Sequence, residues 1–288
     1  KNNKEYFIEG VSFNANKLID NLLSNDENSR VFLNKKFKFT IDLKKVYLDP
    51  DHIISKFEGN ISLLNQKIIN ANLIGNLADN KKINYSVKKL NENKKVTTLL
   101  LENAEPIIKR YKFIKGFEEG VLDFSSSNEQ NTSTSTLKIY NFKLKELPLL
   151  TKILTLASLQ GIADILSGEG IRFNELEMNF TNKKNLLTIK EIYAIGPAIS
   201  ILMDGYVEKN KLVSLRGTLV PATTINKVIS SIPILGKILV GSKTGEGVFG
   251  VSFKIKGPPQ KLETTVNPIK TLTPRFITRT LEKLKKIN

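Results

Sequence analysis

The stretch KFKFTIDL, residues 36–43, decides the fold class because apolar and polar side chains alternate along its whole length. Successive side chains of a β-strand point to opposite faces, so this alternation predicts a strand with one apolar face and one solvated face. An amphipathic helix would instead place apolar residues three and four positions apart. Strands of this kind are typical of antiparallel sheets with one face in water.

The same period of two recurs along the chain. It is found in INYSV (83–87), TLKIY (136–140), ELEMNF (175–180), ISILM (199–203) and VFGVSFKIKG (248–257). Turn-forming residues separate the runs, for example at 58–60, 182–185 and 257–259. The polar stretch SSSNEQNTSTST, 125–136, predicts a hairpin loop or linker. The chain is therefore predicted to be mainly β, a long antiparallel sheet that follows the order of the sequence.

The apolar side chains of these runs are predicted to form one surface. Two explanations for that surface stay open: a closed sandwich core, or an open groove for an apolar ligand. Under the second, the groove candidates are Phe37, Phe39, Ile41, Leu43, Ile83, Tyr85, Val87, Leu176, Met178, Phe180, Ile199, Ile201, Met203, Phe249, Val251, Phe253 and Ile255.

Two segments break the alternation and are predicted to be short apolar helices. In 148–167, Pro148 can begin a helix whose apolar residues recur at helical spacing. In 222–240, threonines can cap a short helix that Pro233 ends. The first of these segments also suggests a division of the chain into a β-rich part, 1–146, and a second region, 147–288.

The residue types exclude several kinds of chemistry. The chain has no cysteine and one histidine, His52, so disulfides, structural zinc–thiolate sites and catalytic histidine clusters are excluded. The glycines of GSKTGEGVFG, 241–250, resemble a dinucleotide motif. That motif needs a helix after the glycines, whereas here an alternating strand follows. We expect no nucleotide, no metal, no cofactor and no catalytic residues, and therefore no enzyme.

The net charge of +16 comes from 44 Lys and Arg against 28 Asp and Glu. A positive charge of this size suggests nucleic acid or an anionic membrane as a partner. Most of the excess is lysine spread among asparagine and isoleucine, without a dense basic block or a platform of aromatic residues for bases. We expect no nucleic-acid partner.

Four blocks of the second half resemble a known family. They are LPLLTKILTLASLQGIADILSGEGIRFNELEMNF (147–180), IYAIGPAISILMDGYV (192–207), LRGTLVPATTINKVISSIPILGKILVGSKTGEGVFGVSFKIKGPP (215–259) and VNPIKTLTPRF (266–276). In this order they resemble the C-terminal region of AsmA-like envelope proteins, the group of YhdP and TamB, in its alphaproteobacterial form. The family's Pro-Gly-Phe near the C-terminus reads Pro274-Arg275-Phe276 here.

The resemblance implies a long curled sheet shaped like a folded taco, with an apolar groove inside. It implies a periplasmic protein anchored to the inner membrane by an N-terminal segment that is absent from this sequence. The role it implies is a bridge that carries phospholipids between the inner and outer membranes, with acyl chains in the groove and no catalytic residue.

A second function of a different class stays open. The sheet could act as a periplasmic scaffold or assembly factor for outer-membrane proteins, offering an edge strand to client strands. A long unpaired edge would favour the scaffold, and a continuous apolar trough would favour lipid transport.

Overall fold

The computed structural model describes residues 4–16, 36–64, 67–111, 114–145, 147–221 and 250–269. The strands in these ranges are β1 (Lys4–Gly10), β2 (Phe13–Asn14), β3 (Lys36–Tyr47), β4 (Ile53–Leu64), β5 (Lys67–Asn76), β6 (Lys82–Lys89), β7 (Lys94–Leu101), β8 (Phe117–Glu129), β9 (Thr132–Leu144), β10 (Ile171–Lys183), β11 (Leu186–Ile195), β12 (Ile199–Glu208), β13 (Leu212–Pro221), β14 (Gly250–Gly257) and β15 (Glu263–Ile269). The α-helices in these ranges are α1 (Glu105–Tyr111), α2 (Pro148–Leu156) and α3 (Gln160–Ser167), and Ala78–Asn80 forms a turn of 3-10 helix.

The strands form one open, mixed sheet in which, from β3 onward, neighbours in sequence are neighbours in space. This confirms the predicted fold class: mainly β, one long unclosed sheet, and short helices. The sheet is not antiparallel throughout, because β1 and β2 both pair with β3 in parallel. The roughly 20 residues between β2 and β3 are enough for the crossover that parallel pairing needs.

The chain separates into two compact units, Lys1–Tyr140 and Asn141–Asn288, here called the N-terminal and C-terminal units. In each unit we call the more apolar face of the sheet the inner face. A hairpin turn does lie within the predicted loop 125–136, but the loop is shorter than predicted, because β8 and β9 extend into this range and leave a two-residue turn at 130–131. A strand tolerates serine and threonine on either face, so a polar composition did not by itself identify a loop.

The helix α1 covers one end of the strands in the N-terminal unit. It follows β7, and its Ile107 packs against a buried cluster that includes Leu43, Leu48 and Leu77. Arg110 donates from Nε to the Leu48 carbonyl, 2.9 Å away, beyond the end of β3. Because α1 reaches from β7 back to β3, it closes this end of the inner face, which we call the capped end. The opposite end, with the turn at 90–93, is the hairpin end.

A carboxylate fixes the beginning of α1. Glu105 accepts hydrogen bonds from the Glu119 backbone N–H at 2.7 Å and from Lys109 Nζ at 2.6 Å. Burial alone would raise the pKa of Glu105, but these two donors outweigh it and hold the pKa below the ordinary value. The capped end is therefore tied to β8 as well as to β3.

Helices occupy the corresponding connection in the C-terminal unit. α2 begins at Pro148, four residues after β9 ends at Leu144, and lies against both α3 and β15. The connection from β9 to β10 thus reaches the last described strand of the unit, β15. Its buried side chains are Ile153, Leu154, Ala163 and Leu166.

The helical segment predicted at 148–167 is confirmed, but it is divided into two helices, α2 and α3, instead of forming one. Ser158 has a φ of 58°, a left-handed conformation that an α-helix cannot contain. The Leu159 N–H then bonds back to the Leu154 carbonyl at 2.8 Å, which ends α2 and redirects the chain into α3. The second predicted helix, 222–240, lies outside the described residues.

Two glycines allow close contact between strands. Gly59, predicted as part of a turn, lies in the middle of β4 with a φ of 139°, and a Cβ there would stand 1.9 Å from the Asn72 carbonyl oxygen. Gly205 in β12 repeats the arrangement, with a φ of 148° and a Cβ 2.1 Å from the Ser214 carbonyl oxygen. Only glycine fits such positions without strain.

Candidate functional site

The predicted groove residues of the N-terminal unit share the inner face of the sheet. Phe39 of β3 is opposite Ile61 of β4, which is opposite Ala71 of β5 and then Val87 of β6. The adjacent row toward the capped end joins Ile41, Gly59, Leu73, Tyr85, Leu99 and Phe124. Cross-strand pairing therefore joins the two separate predicted runs, 37–43 and 83–87, into one apolar surface.

Several residues of this surface were missed from the sequence. Ile61 and Leu63 of β4, Leu99 and Leu101 of β7, and Phe124 of β8 all lie on it. Alternation is interrupted in these strands, by the Gly59 irregularity in β4 and by consecutive leucines in β7. The sequence signal that could have identified residues of β4 and β7 was the hydrophobic content of ISLL (61–64) and TTLLL (97–101).

The inner face of the N-terminal unit has two levels of burial. At the capped end Leu43, Leu101 and Leu122 are buried. Away from α1 burial is mixed: Phe39, Ile61 and Tyr85 remain partly exposed, whereas the neighbouring apolar side chains of Phe37, Ala71, Leu73 and Val87 are buried. Facing side chains of a two-layer sandwich are covered by the second layer. Among the described residues, this part of the face is therefore only partly covered, and some of its apolar side chains stay accessible.

Aromatic rings line the first strands of this surface. Tyr6 of β1 stacks on Phe39 with ring centroids 5.4 Å apart and on Phe37 at 6.0 Å. The Tyr85 ring lies further along the same face, and burial raises the pKa of its phenol.

The predicted groove residues of the C-terminal unit also share one face. Met178 of β10 is opposite Ile192, which is opposite Met203, and the row continues through Gly217 to Phe253 and Val266. The neighbouring rows place Leu176 with Ile201 and Val251, and Phe180 with Ile255. Ile199 pairs with Pro221 on the same face. Phe249 lies outside the described residues.

Burial across this second surface is graded. Ile199, Val251, Phe253 and Ile255 are buried. The described residues that remain partly exposed include Leu176, Met178, Phe180, Ile201 and Met203. Sequence reasoning missed Ile189, Ile192, Leu215 and Leu219, which complete the rows. Their strands show less regular alternation, with a register shift between Ile189 and Ile192 in β11.

The polar groups considered as possible catalysts have structural contacts. His52 Nδ1 lies 2.8 Å from Asp49 Oδ2 in the loop between β3 and β4. Burial alone would raise the pKa of Asp49, but hydrogen bonds from the His52 ring and from the Asp51 and His52 backbone hold it below the ordinary value. Glu177 accepts a hydrogen bond from Asn179 on the outer face of β10. These contacts stabilise turns and strands.

The described ranges contain no group of three or more histidine, cysteine, aspartate or glutamate side chains placed to hold a metal ion. The search for a membrane-crossing helix, made over the same ranges, finds none of sufficient length and hydropathy. The glycine motif at 241–250 falls outside them except for Gly250, the first residue of β14.

Comparison with known proteins gives no match. No family model, no curated protein and no solved structure is similar to this chain at a significant level.

Proposed function

We propose that this chain is a non-enzymatic lipid-binding protein that carries phospholipids between the inner and outer membranes. The observation that supports the proposal most strongly is the partly exposed apolar inner face, represented by Phe39, Ile61 and Tyr85 in one unit and by Met178 and Met203 in the other. A water-soluble protein rarely leaves a contiguous apolar surface uncovered unless something binds there.

The chemistry of an acyl chain fits such a surface. Each methylene removed from water contributes about 0.8 kcal/mol, so a long apolar surface can offset removal of a lipid from a bilayer. A sheet supplies this surface continuously, because every second side chain of each strand points inward. Transport of this kind requires no bond to be made or broken.

The proposed location is the periplasm, with attachment to the inner membrane. The four sequence blocks that resemble the AsmA-like family, beginning with 147–180, support this location and the membrane-to-membrane role. The partners we propose are phospholipid acyl chains, the inner membrane and the outer membrane.

A second candidate function is supported by the edge strand β1. Its described neighbour is β3, and its Phe7 side chain is 70% exposed on the outer face. An exposed edge offers unpaired backbone groups to another strand. A periplasmic scaffold for outer-membrane proteins could use β1 to hold a client strand.

Lipid analysis of the purified chain tests the first function. Native mass spectrometry of the wild type is expected to show bound phospholipid. Phe39→Asp and Met203→Asp, which place a charge on the inner face, are expected to lose it. Lys38→Asp and Tyr206→Asp are the matched controls, because they change exposed residues of the opposite face on the same strands.

The two functions give different results. Lipid retained by both inner-face variants, or no lipid on a folded wild type, would reject the transport proposal. The scaffold is tested with Phe7→Cys in this cysteine-free chain. Cross-linking from position 7 to outer-membrane proteins, absent from a Lys38→Cys control, would favour the scaffold.

A further inference from the structure

The inner face of the N-terminal unit changes from apolar to polar along β6, β7 and β8. At the capped end the paired residues are Ile83, Leu101 and Leu122. The next rows toward the hairpin end are Tyr85–Leu99–Phe124, then Val87–Thr97–Ser126, then Lys89–Lys95–Asn128. Within these three strands the inward-facing side chains are therefore aliphatic at the capped end, mainly aromatic and hydroxyl-bearing in the middle rows, and cationic at the hairpin end.

A lysine lies across the polar end of this face. Lys95 is partly buried, and its Nζ reaches over β6 to the Ile68 carbonyl oxygen of β5, 3.4 Å away. An ammonium group has three N–H donors, and this contact is a long one. Lys89, in the same row, forms an ion pair with Glu92 of the turn at 3.2 Å.

Hydroxyl and amide groups lie beside Lys89 and Lys95, in the same row or the next one. Thr97 and Ser126 are cross-strand partners, and Ser126 accepts a hydrogen bond from the buried Ser135 at 2.9 Å. Asn128 is the partner of Lys95. The inward positions of Ile83–Lys89, Lys95–Leu101 and Leu122–Asn128 include no carboxylate, so this corner is cationic and rich in donors.

We infer that this corner, formed by Lys95, Thr97, Ser126 and Asn128, binds the phosphate group of a phospholipid headgroup. The inference rests on the proposed lipid-binding function and adds a site to it. An acyl chain on the Tyr85–Leu99–Phe124 row leads directly to this polar end. Lysine supplies the point charge that a phosphate diester requires, and the hydroxyl and amide groups supply neutral donors.

The arrangement also sets an orientation for the ligand. Acyl chains extend toward the capped end, where α1 closes the face, and the headgroup stays at the hairpin end. A lipid without phosphate keeps the apolar contacts but loses the charge-assisted hydrogen bonds. Phosphate therefore determines preference among lipids, while the apolar rows determine whether any lipid binds.

The experiment measures the dissociation constants of two fluorescent probes with the same acyl chains, phosphatidylglycerol and diacylglycerol. We expect the wild type to bind phosphatidylglycerol about tenfold more tightly, as a charge-assisted hydrogen bond implies. Lys95→Gln is expected to remove this preference without changing diacylglycerol affinity. Lys88→Gln is the matched control, because Lys88 is exposed on the outer face of β6 and should keep the preference.

Each remaining outcome has one meaning. If Lys95→Gln keeps the preference, or Lys88→Gln loses as much, lipid binding stands but the headgroup site is wrong. If a folded wild type binds neither probe, the proposed function itself fails. If inorganic phosphate binds the wild type but not Lys95→Gln, and phosphatidylglycerol has no advantage, the corner takes a free anion and the inference is overturned.

Discussion

Leu99 and Leu101 have the same side chain on the same strand and the same face, yet their surroundings differ. Leu101 is 0% exposed at the capped end, near α1, whereas Leu99 is partly exposed in the next row. At the capped end the inner face is thus a protein core, and in the next row side chains such as Leu99 stay partly accessible. The difference separates residues needed for folding from residues available to a ligand.

The largest expected effect is on stability at the capped end. Leu101→Ala should lower the free energy of unfolding by about 3 kcal/mol, because it removes buried methyl groups and leaves a cavity. Leu99→Ala should cost about 1 kcal/mol, since its side chain is already partly in water. Urea denaturation of both variants measures the difference, and equal losses would contradict a division of the face into core and open surface.

Replacement of Gly59 tests whether the close contact between β4 and β5 is required for stability. Gly59→Ala should lower the free energy of unfolding by about 2 kcal/mol, because the new Cβ would meet the Asn72 carbonyl oxygen at a positive φ. Thermal denaturation would show the loss. An alanine variant as stable as the wild type would mean that β4 can relax here without changing the surface.

Removal of the Arg110 side chain tests whether its contacts with Leu48 and Asn16 hold α1 in place at the capped end. Its guanidinium donates to the Leu48 carbonyl and to Asn16 Oδ1, the latter at 2.5 Å. Arg110→Ala should cost about 1–3 kcal/mol, because these acceptors lose a charged donor. Hydrogen exchange should increase in 105–111 and 13–16 but not in β5 and β6; uniform exchange would place the effect elsewhere.

The smallest expected effect is a pH dependence in the loop between β3 and β4. The folded-state pKa of Asp49 lies below its ordinary value, so its contribution is present above the unfolded pKa, about 3.9, and is lost as the pH falls through the folded pKa. Asp49→Asn should cost under about 1 kcal/mol at pH 7. The difference should vanish once the pH lies below the folded-state pKa; a constant difference would exclude ionisation as the cause.

Strand positions could be predicted from the sequence because alternation is a local property. KFKFTIDL lies within β3, and ISILM begins β12. The parallel pairing of β1 could not be predicted, since it joins residues more than 30 positions apart. Gly59 was misassigned to a turn because its conformation depends on the backbone of the neighbouring strand, and Ser158 divides a segment whose apolar spacing is continuous.

The candidate surface was only partly predictable for a similar reason. Alternation identifies which side chains share a face, so Phe39 and Tyr85 were assigned together. It cannot identify which of them other parts of the fold cover: Leu101 is buried, whereas Leu99 on the same face stays partly exposed. The cationic corner was missed because Lys95 and Ser126 read as solvated residues until strand register placed them inward.

Photo-cross-linking with a phospholipid that carries a diazirine on its acyl chain tests the central claim most directly. Labelled residues, identified by mass spectrometry, are expected on the inner face, at Phe39, Leu99 and Met203, and not at outer-face positions such as Lys38 and Tyr206. Labelling of the outer face, or no labelling of a folded chain, would contradict the account of the inner face as a lipid-binding surface.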